Sequence, residues 1–372
     1  QKGRHCCSRG SAAGKDMKPL HTQHWNYYYS KPVSTGLFKF QADDFQVVED
    51  LGYEPCGEGE HQFVFVEKIN TNTAFVAEQL ARYTKLPLRQ VTYAGRKDKY
   101  ALTRQWFGLH APGQADFDFS DFELEGVRVI KQTRHNRKLR TGQLKGNAFT
   151  ITLRQVVHPE AIEERLQEIA KHGVPNYYGE QRFGVMRVNE QGEVQRGGNL
   201  AMAERMINGE TIRHRNKRSM ALSALRSWLF NEVISIRLEN KTFDKVLTGD
   251  ALVLTGSNSF FIDDDKQQDS QQRYEDKDVC PSAPLWGKGD LVTTSEANAT
   301  EEQVASSHPE VIDFLGQCGF EQERRAIKIW PSQLEWQSKG DTLTLSFSLP
   351  SGCFATSVLR ECVETVSPIH SI

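Results

Sequence analysis

The chain has 372 residues, 25% of them charged and 38% hydrophobic, and a formal net charge of -2. That length supports two domains with proper cores, while the near-neutral balance excludes a polycation, so any nucleic-acid surface must be gathered locally. No apolar run is long enough to span a bilayer, the basic N-terminus lacks the apolar stretch of a secretory signal, and the seven cysteines form no C-x-x-C pair, which argues for reduced thiols in a cytoplasmic protein rather than zinc or disulfides.

Met17-Lys18-Pro19 reads as a natural start. Residues 1–16 are therefore expected to be a tag remnant or a misassigned start, and residues 1–30 a disordered or non-native N-terminal extension plus lead-in. Residues 35–70 read as strands: 45–50 is rich in β-branched residues, and 61–68 alternates, with Phe63, Phe65 and Ile69 opposed to Gln62, Val64 and Val66. Asn72 or Thr73 can cap a helix through Tyr83, with Phe75, Val76, Leu80 and Tyr83 at helical spacing and Pro87 as its stop. Strand-like runs follow at 104–109, 127–133 and 148–157. The stretch 160–171 predicts an amphipathic helix on Ile162, Leu166 and Ile169, stopped by Gly173.

Beyond Gly173 the texture changes to Gly, Asn, Gln and Arg, and a long helix is predicted over 220–238 from Leu222, Leu225, Leu229, Val233 and Ile236. The polar stretch 263–308 reads as long surface loops with one short turn at residues 281–284. The chain closes with a strand over 341–349 and a helix from 355 to about 366. The pattern is α+β, and its return to strand and helix suggests a middle domain inserted into an outer one.

Charge is clustered. Arg128, Lys131, Arg134, Arg137, Lys138, Arg140 and Lys145 occupy one stretch without an acid, Arg213-His214-Arg215-Asn216-Lys217-Arg218 form a second run, and Arg182, Arg187 and Arg196 a looser third. One such run alone is an ordinary solvated face. Two, beside aromatic side chains able to stack on bases, favour RNA. Neither a G-x-x-x-x-G-K-[ST] nor a G-x-G-x-x-G phosphate loop is present, which disfavours nucleotide cofactors.

The most unusual segment is Tyr93-Ala94-Gly95-Arg96-Lys97-Asp98-Lys99-Tyr100-Ala101, one carboxylate among three cations. Positive neighbours favour the ionised form of a carboxylate, and an ionised Asp serves as nucleophile or base without a metal. Taken alone, the same pattern fits a surface ion-pair cluster.

Gly95-Arg96-Lys97-Asp98 resembles the G-x-K-D motif of the TruD family of pseudouridine synthases. The resemblance extends to Thr35-Gly36 through Lys39, to Asp44-Phe45-Gln46-Val47-Val48-Glu49 and to Gly57-Glu58-Gly59-Glu60-His61. It continues through Leu144-Lys145-Gly146-Asn147-Ala148-Phe149, through the signature from Val174 to Gly184, and through Arg215-Asn216-Lys217-Arg218-Ser219. The last block runs from Gly352 to Glu361. Together they cover about Lys31 to Glu364. Tyr100 departs from the pattern, standing where a histidine is common.

What the resemblance implies is a pseudouridine synthase core, a mixed, mainly antiparallel sheet flanked by helices, over 31–173 and 331–372. An inserted α/β TRUD domain would occupy 174–330, with tRNA held in the cleft between. It implies isomerisation of uridine to pseudouridine, at position 13 in the tRNA D arm, with no cofactor or metal, by a monomeric protein. It assigns Asp98 as catalytic and Phe45, Asn147 and Phe354 as substrate contacts, with Phe149 a second stacking candidate. Asn147 offers a donor and an acceptor for a uracil edge. The plainer reading makes the three phenylalanines core and Asn147 a turn residue. Lys39, Lys97, Arg134, Arg137, Lys138, Arg140, Lys145, Arg182, Arg215 and Lys217 are the candidate RNA-binding cations, with Lys39, Lys97 and Lys145 reading equally as tuners of a neighbouring pKa or as solvated charges. The rival function is a noncatalytic RNA-binding protein that keeps the fold.

Overall fold

The computed structural model describes residues 17–184, 187–188, 194–195, 197–264 and 269–368. The segment 1–16, expected to be foreign, and Arg196 of the third basic cluster lie outside the described residues. Residues 17–30, expected to belong to the extension and lead-in, are instead built into the fold: Leu20 and Trp25 are buried, and the Leu20 N–H and the Trp25 indole N–H donate to Glu204 and Glu232 at 2.8 Å each, because their apolar side chains find partners far along the chain. The chain forms two compact units, one of Tyr27–Tyr177 with Ala326–Ile372, the other of Tyr178–Arg325 with the segment ending at Asn26.

The first unit opens with β1 (Thr35–Leu37), β2 (Phe45–Asp50), β3 (His61–Ile69), α1 (Thr73–Thr84) and β4 (Val91–Tyr93). It continues through β5 (Leu102–His110), β6 (Val127–His135), β7 (Gly146–Val157), α2 (Pro159–His172) and β8 (Val174–Pro175). The other unit contributes β9 (Arg187–Val188), β10 (Val194–Gln195), α3 (Gly198–Ile207), α4 (Arg215–Glu239), β11 (Ala251–Leu254) and β12 (Phe260–Ile262). It ends with α5 (Ser270–Glu275), β13 (Val279–Leu285), α6 (Ser295–Ser307), α7 (Pro309–Gln317) and β14 (Glu323–Ala326). The chain then rejoins the first unit in β15 (Lys328–Ile329), β16 (Ser332–Lys339), β17 (Thr342–Pro350), α8 (Ala355–Cys362) and β18 (Glu364–Val366).

The first unit is built on one sheet of order β16-β17-β7-β2-β5-β3-β6, with β4 on β5 and β1 between β7 and β18. Only β2–β5 and β1–β18 run parallel among these pairings; the others are antiparallel. This is the mixed, mainly antiparallel sheet of an α+β fold. Strand alternation puts Phe45, Val47, Phe149, Ile151, Leu345 and Phe347 into one core with Ile162, Leu166 and Ile169 of α2 and Val358, Leu359 and Cys362 of α8. Val64, Val66, Phe107 and Leu109 pack against Val76, Ala77 and Leu80 of α1. Since Val47 pairs with Thr103 and Lys68 does too, all three helices cover the same face. The opposite face carries Phe63, Trp106 and Leu139.

In the other unit, β12-β11-β13-β14 form a sheet beside α4, whose buried side includes Leu225, Leu229, Val233 and Ile234. Here the expectation of loops over 263–308 is overturned. Val279–Leu285 is a strand buried along all but its last residue, pairing Leu252 with Pro281 and Val253 with Cys280. Its two prolines read as a turn because proline removes a ladder donor, and the neighbouring strands override that preference. The helix α6 buries Ala297, Glu301 and Val304. Glu301 sits mid-stripe because Arg324 pairs with it at 2.6 Å and Thr293 donates to it at 2.7 Å, so a charge interrupts the apolar period.

Boundaries also move. The helix α1 ends at Thr84 because Lys85 turns left-handed, φ 59°, and caps Ala81 and Arg82, two residues before Pro87. The helix α4 begins at Arg215, where the His214 ring accepts the Lys217 N–H, so its basic first turn is helical. The last helix stops at Cys362 because Val363 is extended and the following residues pair with β1.

Gly146 starts β7 opposite Pro350, and a Cβ there would lie 2.2 Å from the Leu349 carbonyl oxygen. Gly146→Ala is expected to separate β7 from β17 at that end and to cost about 1–3 kcal/mol, read as a fall in the urea midpoint of unfolding.

Candidate active site

Asp98 lies in the connection between β4 and β5, on the helix-covered face of the first unit's sheet. Five side chains hold that connection. Gln105 of β5 donates to the Gly95 carbonyl at 2.9 Å. Thr73, first residue of α1, accepts the Lys97 N–H at 3.0 Å and donates to Gln105 at 2.9 Å. Lys68 of β3 donates to the carbonyls of Asp98 at 2.9 Å and Lys97 at 3.5 Å. Glu49 of β2 receives the Lys97 ammonium at 3.0 Å on one oxygen and the Trp106 N–H at 3.0 Å on the other.

The fifth is Lys39, whose ammonium pairs with Asp98 Oδ2 at 2.7 Å. Lys39 follows β1 at φ 55°, a left-handed conformation that costs an L residue roughly 1–2 kcal/mol. Its ammonium lies 4.4 Å from the Phe45 ring centroid and 5.4 Å from that of Phe38, a cation–π arrangement. The Lys39 side chain is 9% exposed and that of Asp98 40%. One carboxylate oxygen is thus tied inward to a buried cation, while Oδ1 has no protein partner among the described residues. A carboxylate so placed can attack, or take a proton from, a molecule arriving from solvent.

Sheet register fixes the surroundings. Phe45 pairs with Ile151, Val47 with Phe149 and Glu49 with Asn147, while Leu349 flanks Asn147 on the other side. Phe45 and Asn147 thus stand four residues of strand apart on one face, roughly 13 Å at the ordinary rise. Asn147 Oδ1 is buried and has no hydrogen-bond partner among the described residues, an acceptor that is expensive to leave unmet. Phe354 is half-buried at the N-cap of α8, reached by the turn after β17. Phe45 is 5% and Phe149 8% exposed. Phe149 is packed between the rings of Phe45 and Phe347, at 6.0 and 5.5 Å, which makes it a core side chain rather than an open stacking surface.

The basic residues divide. Lys39 and Lys97 are the two ion-pair partners just described. Arg134 is engaged structurally, with Asp116 at 2.6 Å and the carbonyls of Gly59 and Gln114 at 3.0 and 2.7 Å. Arg137, Lys138, Arg140 and Lys145 are exposed. Arg137 and Lys138 follow the end of β6 that pairs with His61, roughly 23 Å along β3 from Lys68 at the ordinary strand rise. His61 itself stacks on His110 at 4.6 Å, and burial, with that neighbour, pulls its pKa below the usual value. In the other unit Arg215 and Lys217 are exposed, whereas Arg182 donates to Ser223 at 2.8 Å and lies over the Tyr178 ring.

The sequence pattern of the family described as tRNA pseudouridine synthase D (TruD) matches residues 23–207 and 211–362. The chain belongs to the TruD family. It is 51% identical over 348 residues to the tRNA pseudouridine synthase D of Pseudoalteromonas atlantica, covering 94% of this chain and 98% of that one. The proteins of the same name from Colwellia psychrerythraea and Aeromonas salmonicida are 44% and 45% identical, over 91% and 93% of this chain and 92% and 95% of theirs. A crystal structure from Methanosarcina mazei, described as a candidate TruD, superposes with a TM-score of 0.69 at 20% identity, over 91% of this chain and 95% of that one. It supports the fold.

In this TruD-family chain the residues to which no motif gave a role at the site are Glu49, Lys68, Thr73 and Gln105. Two had a readable signal. Phe45, Val47 and Glu49 share one phase of their strand, and Val64, Val66 and Lys68 share one phase of theirs, so a charge occupies an inward position in each. Thr73 and Gln105 carried none beyond a capping position and an ordinary strand residue. Among the described residues no group of three or more His, Cys, Asp or Glu is placed to hold a metal ion, and no helix is long and apolar enough to cross a membrane.

Glu49 is wholly buried and its partner Lys97 nearly so. Glu49→Ala strands a buried ammonium and is expected to destabilise by about 3–5 kcal/mol, whereas the double replacement Glu49→Gln with Lys97→Met is expected to recover much of that loss. Urea unfolding of the three proteins at matched slope checks it.

Proposed function

We propose that the chain converts uridine to pseudouridine in tRNA, at position 13 in the D arm, without a cofactor. The observation that carries this reading is the Asp98 carboxylate, half open to solvent, paired through one oxygen to the buried Lys39 and with the other oxygen unengaged. The relatives' shared name supports the substrate class. In the reaction the N1–C1′ bond breaks, the uracil turns, C5 bonds to C1′, the C5 proton leaves and N1 gains one; nothing is oxidised or reduced. Asp98 either attacks C1′ or removes a ribose proton to start that sequence.

A stacked uridine has to be extruded before Asp98 can reach its ribose. Asn147 supports recognition of the base, because its unmet buried oxygen accepts an imide N–H such as uracil carries. Phe354, half-buried at the same end of β7, is the remaining candidate for stacking, and Phe45 forms the wall under Lys39. The exposed Arg137, Lys138, Arg140, Lys145, Arg215 and Lys217 are assigned to backbone phosphates.

Chemical mapping of pseudouridine with a carbodiimide, on tRNA from a strain lacking this protein, tests the assignment. Position 13 is expected to be unmodified there and restored by the purified protein; retention of the modification contradicts the reading. Asp98→Asn is expected to abolish product while leaving tRNA affinity within about tenfold, since phosphate contacts supply most of it. Filter binding of labelled tRNA measures this.

The cationic assignments separate by salt. Removing Arg137, Lys138 and Arg140 together is expected to flatten the slope of log affinity against log salt by about one unit for each phosphate no longer neutralised. Arg134→Ala is expected to leave that slope unchanged and to lower the unfolding midpoint, because its guanidinium is already engaged by Asp116 and two carbonyls.

A further inference from the structure

Lys68 occupies an inward position of a central strand, is 0% exposed and makes no ion pair among the described residues. Its ammonium ends on two backbone carbonyls, those of Asp98 and Lys97. Burying a lysine without a carboxylate partner is costly, and Val64 and Val66, its neighbours in phase, show that an apolar side chain satisfies the packing of this face. The charge is therefore retained for what it holds.

We infer that Lys68 is a positioning residue for the reaction proposed above: its ammonium clamps the peptide of Asp98 from beneath, so that the carboxylate keeps its direction while Lys39 holds one oxygen. Charge-assisted hydrogen bonds are about twice as strong as neutral ones, and they bind the main chain of Asp98 and leave its side chain free to react. Thr73 fixes the preceding N–H and Gln105 the Gly95 carbonyl, so the segment is held at three successive points.

The groups that face Lys68 are Asp98 and Lys97 from the loop, with Lys39 behind the first and Glu49 behind the second. Burial pushes the Lys68 ammonium down to about 8, the Asp98 carboxylate opposing and Lys97 reinforcing the fall. The unfolded chain holds this proton more tightly than the folded one. This group therefore adds folding stability as pH rises from about 8 toward 10.5. A loss of turnover in that window is then not explained by Lys68 unfolding the protein.

The experiment pairs a structure with kinetics on tRNA. In crystals of Lys68→Met the segment 96–98 is expected to shift and the 2.7 Å Lys39–Asp98 pair to open. The variant's kcat is expected to fall on the order of 10²-fold, the effect of misplacing a reacting group by about 1 Å, with KM little changed. The unaltered protein is expected to lose kcat through an alkaline limb near pH 8, and Lys68→Arg to keep turnover and move that limb upward. An unmoved loop in Lys68→Met overturns the inference, as does a flat kcat profile of the unaltered protein between about pH 6.5 and 9.5. If the unaltered protein modifies no tRNA, the functional reading fails by itself, and the loop's position in the Lys68→Met crystals still decides the positioning role.

Discussion

A charge taken out of water has to be paired, and around Asp98 that requirement organises the neighbouring parts of β2, β3 and β5. Lys39, Glu49, Lys68 and Lys97 bring three cations and one anion onto the helix-covered face. Asp98 supplies the second anion while remaining partly exposed. None of these groups can be removed without leaving another unmet in a low-dielectric setting, where the cost is several kcal/mol. The catalytic candidate is the one member of the set whose partners leave an oxygen over.

The scaffold serves this arrangement by placing helices on a single face. The α2 and α8 pair covers β7, β17 and β2, and α1 covers β3 and β5. Lys39 meets Asp98 above Phe45 of β2, and Asn147 lies on β7 opposite Glu49, the residue that holds Lys97. Three costly features belong to this region: Lys39 at positive φ, the buried Lys68 on two carbonyls and the Asn147 amide oxygen without a hydrogen-bond partner among the described residues.

Much of this was legible in the sequence. Alternation over 61–68 and 148–157 and the Ile162, Leu166, Ile169 stripe gave correct elements, since one face of each is buried against a single core. The G-x-K-D segment singled out Asp98 through its resemblance to the family's motif, since a carboxylate among cations taken alone fits a surface ion-pair cluster as well. What could not be read were elements whose stability comes from distant partners. Glu301 looks like a loop residue until Arg324, far along the chain, is seen to neutralise it. Val279–Leu285 looks like a turn until its two neighbouring strands are in place. The end of α8 depended on β1, at the opposite end of the chain. Likewise the basic stretch gave no hint that Arg134 is structural while Arg137 and Lys138 are exposed, because only the fold brings Asp116 to the former. The inward charges Glu49 and Lys68 were visible as breaks in the apolar phase, but their common target, the Asp98 loop, was not.

The account turns on whether Asp98 meets the ribose of an extruded nucleoside. A crystal structure of the Asp98→Asn protein bound to unmodified tRNA tests that most directly. It should show one uridine swung out of the D arm, its ribose against residue 98 and the edge of its base on the Asn147 side chain. A bound tRNA whose nearest nucleotide leaves residue 98 facing solvent contradicts the account.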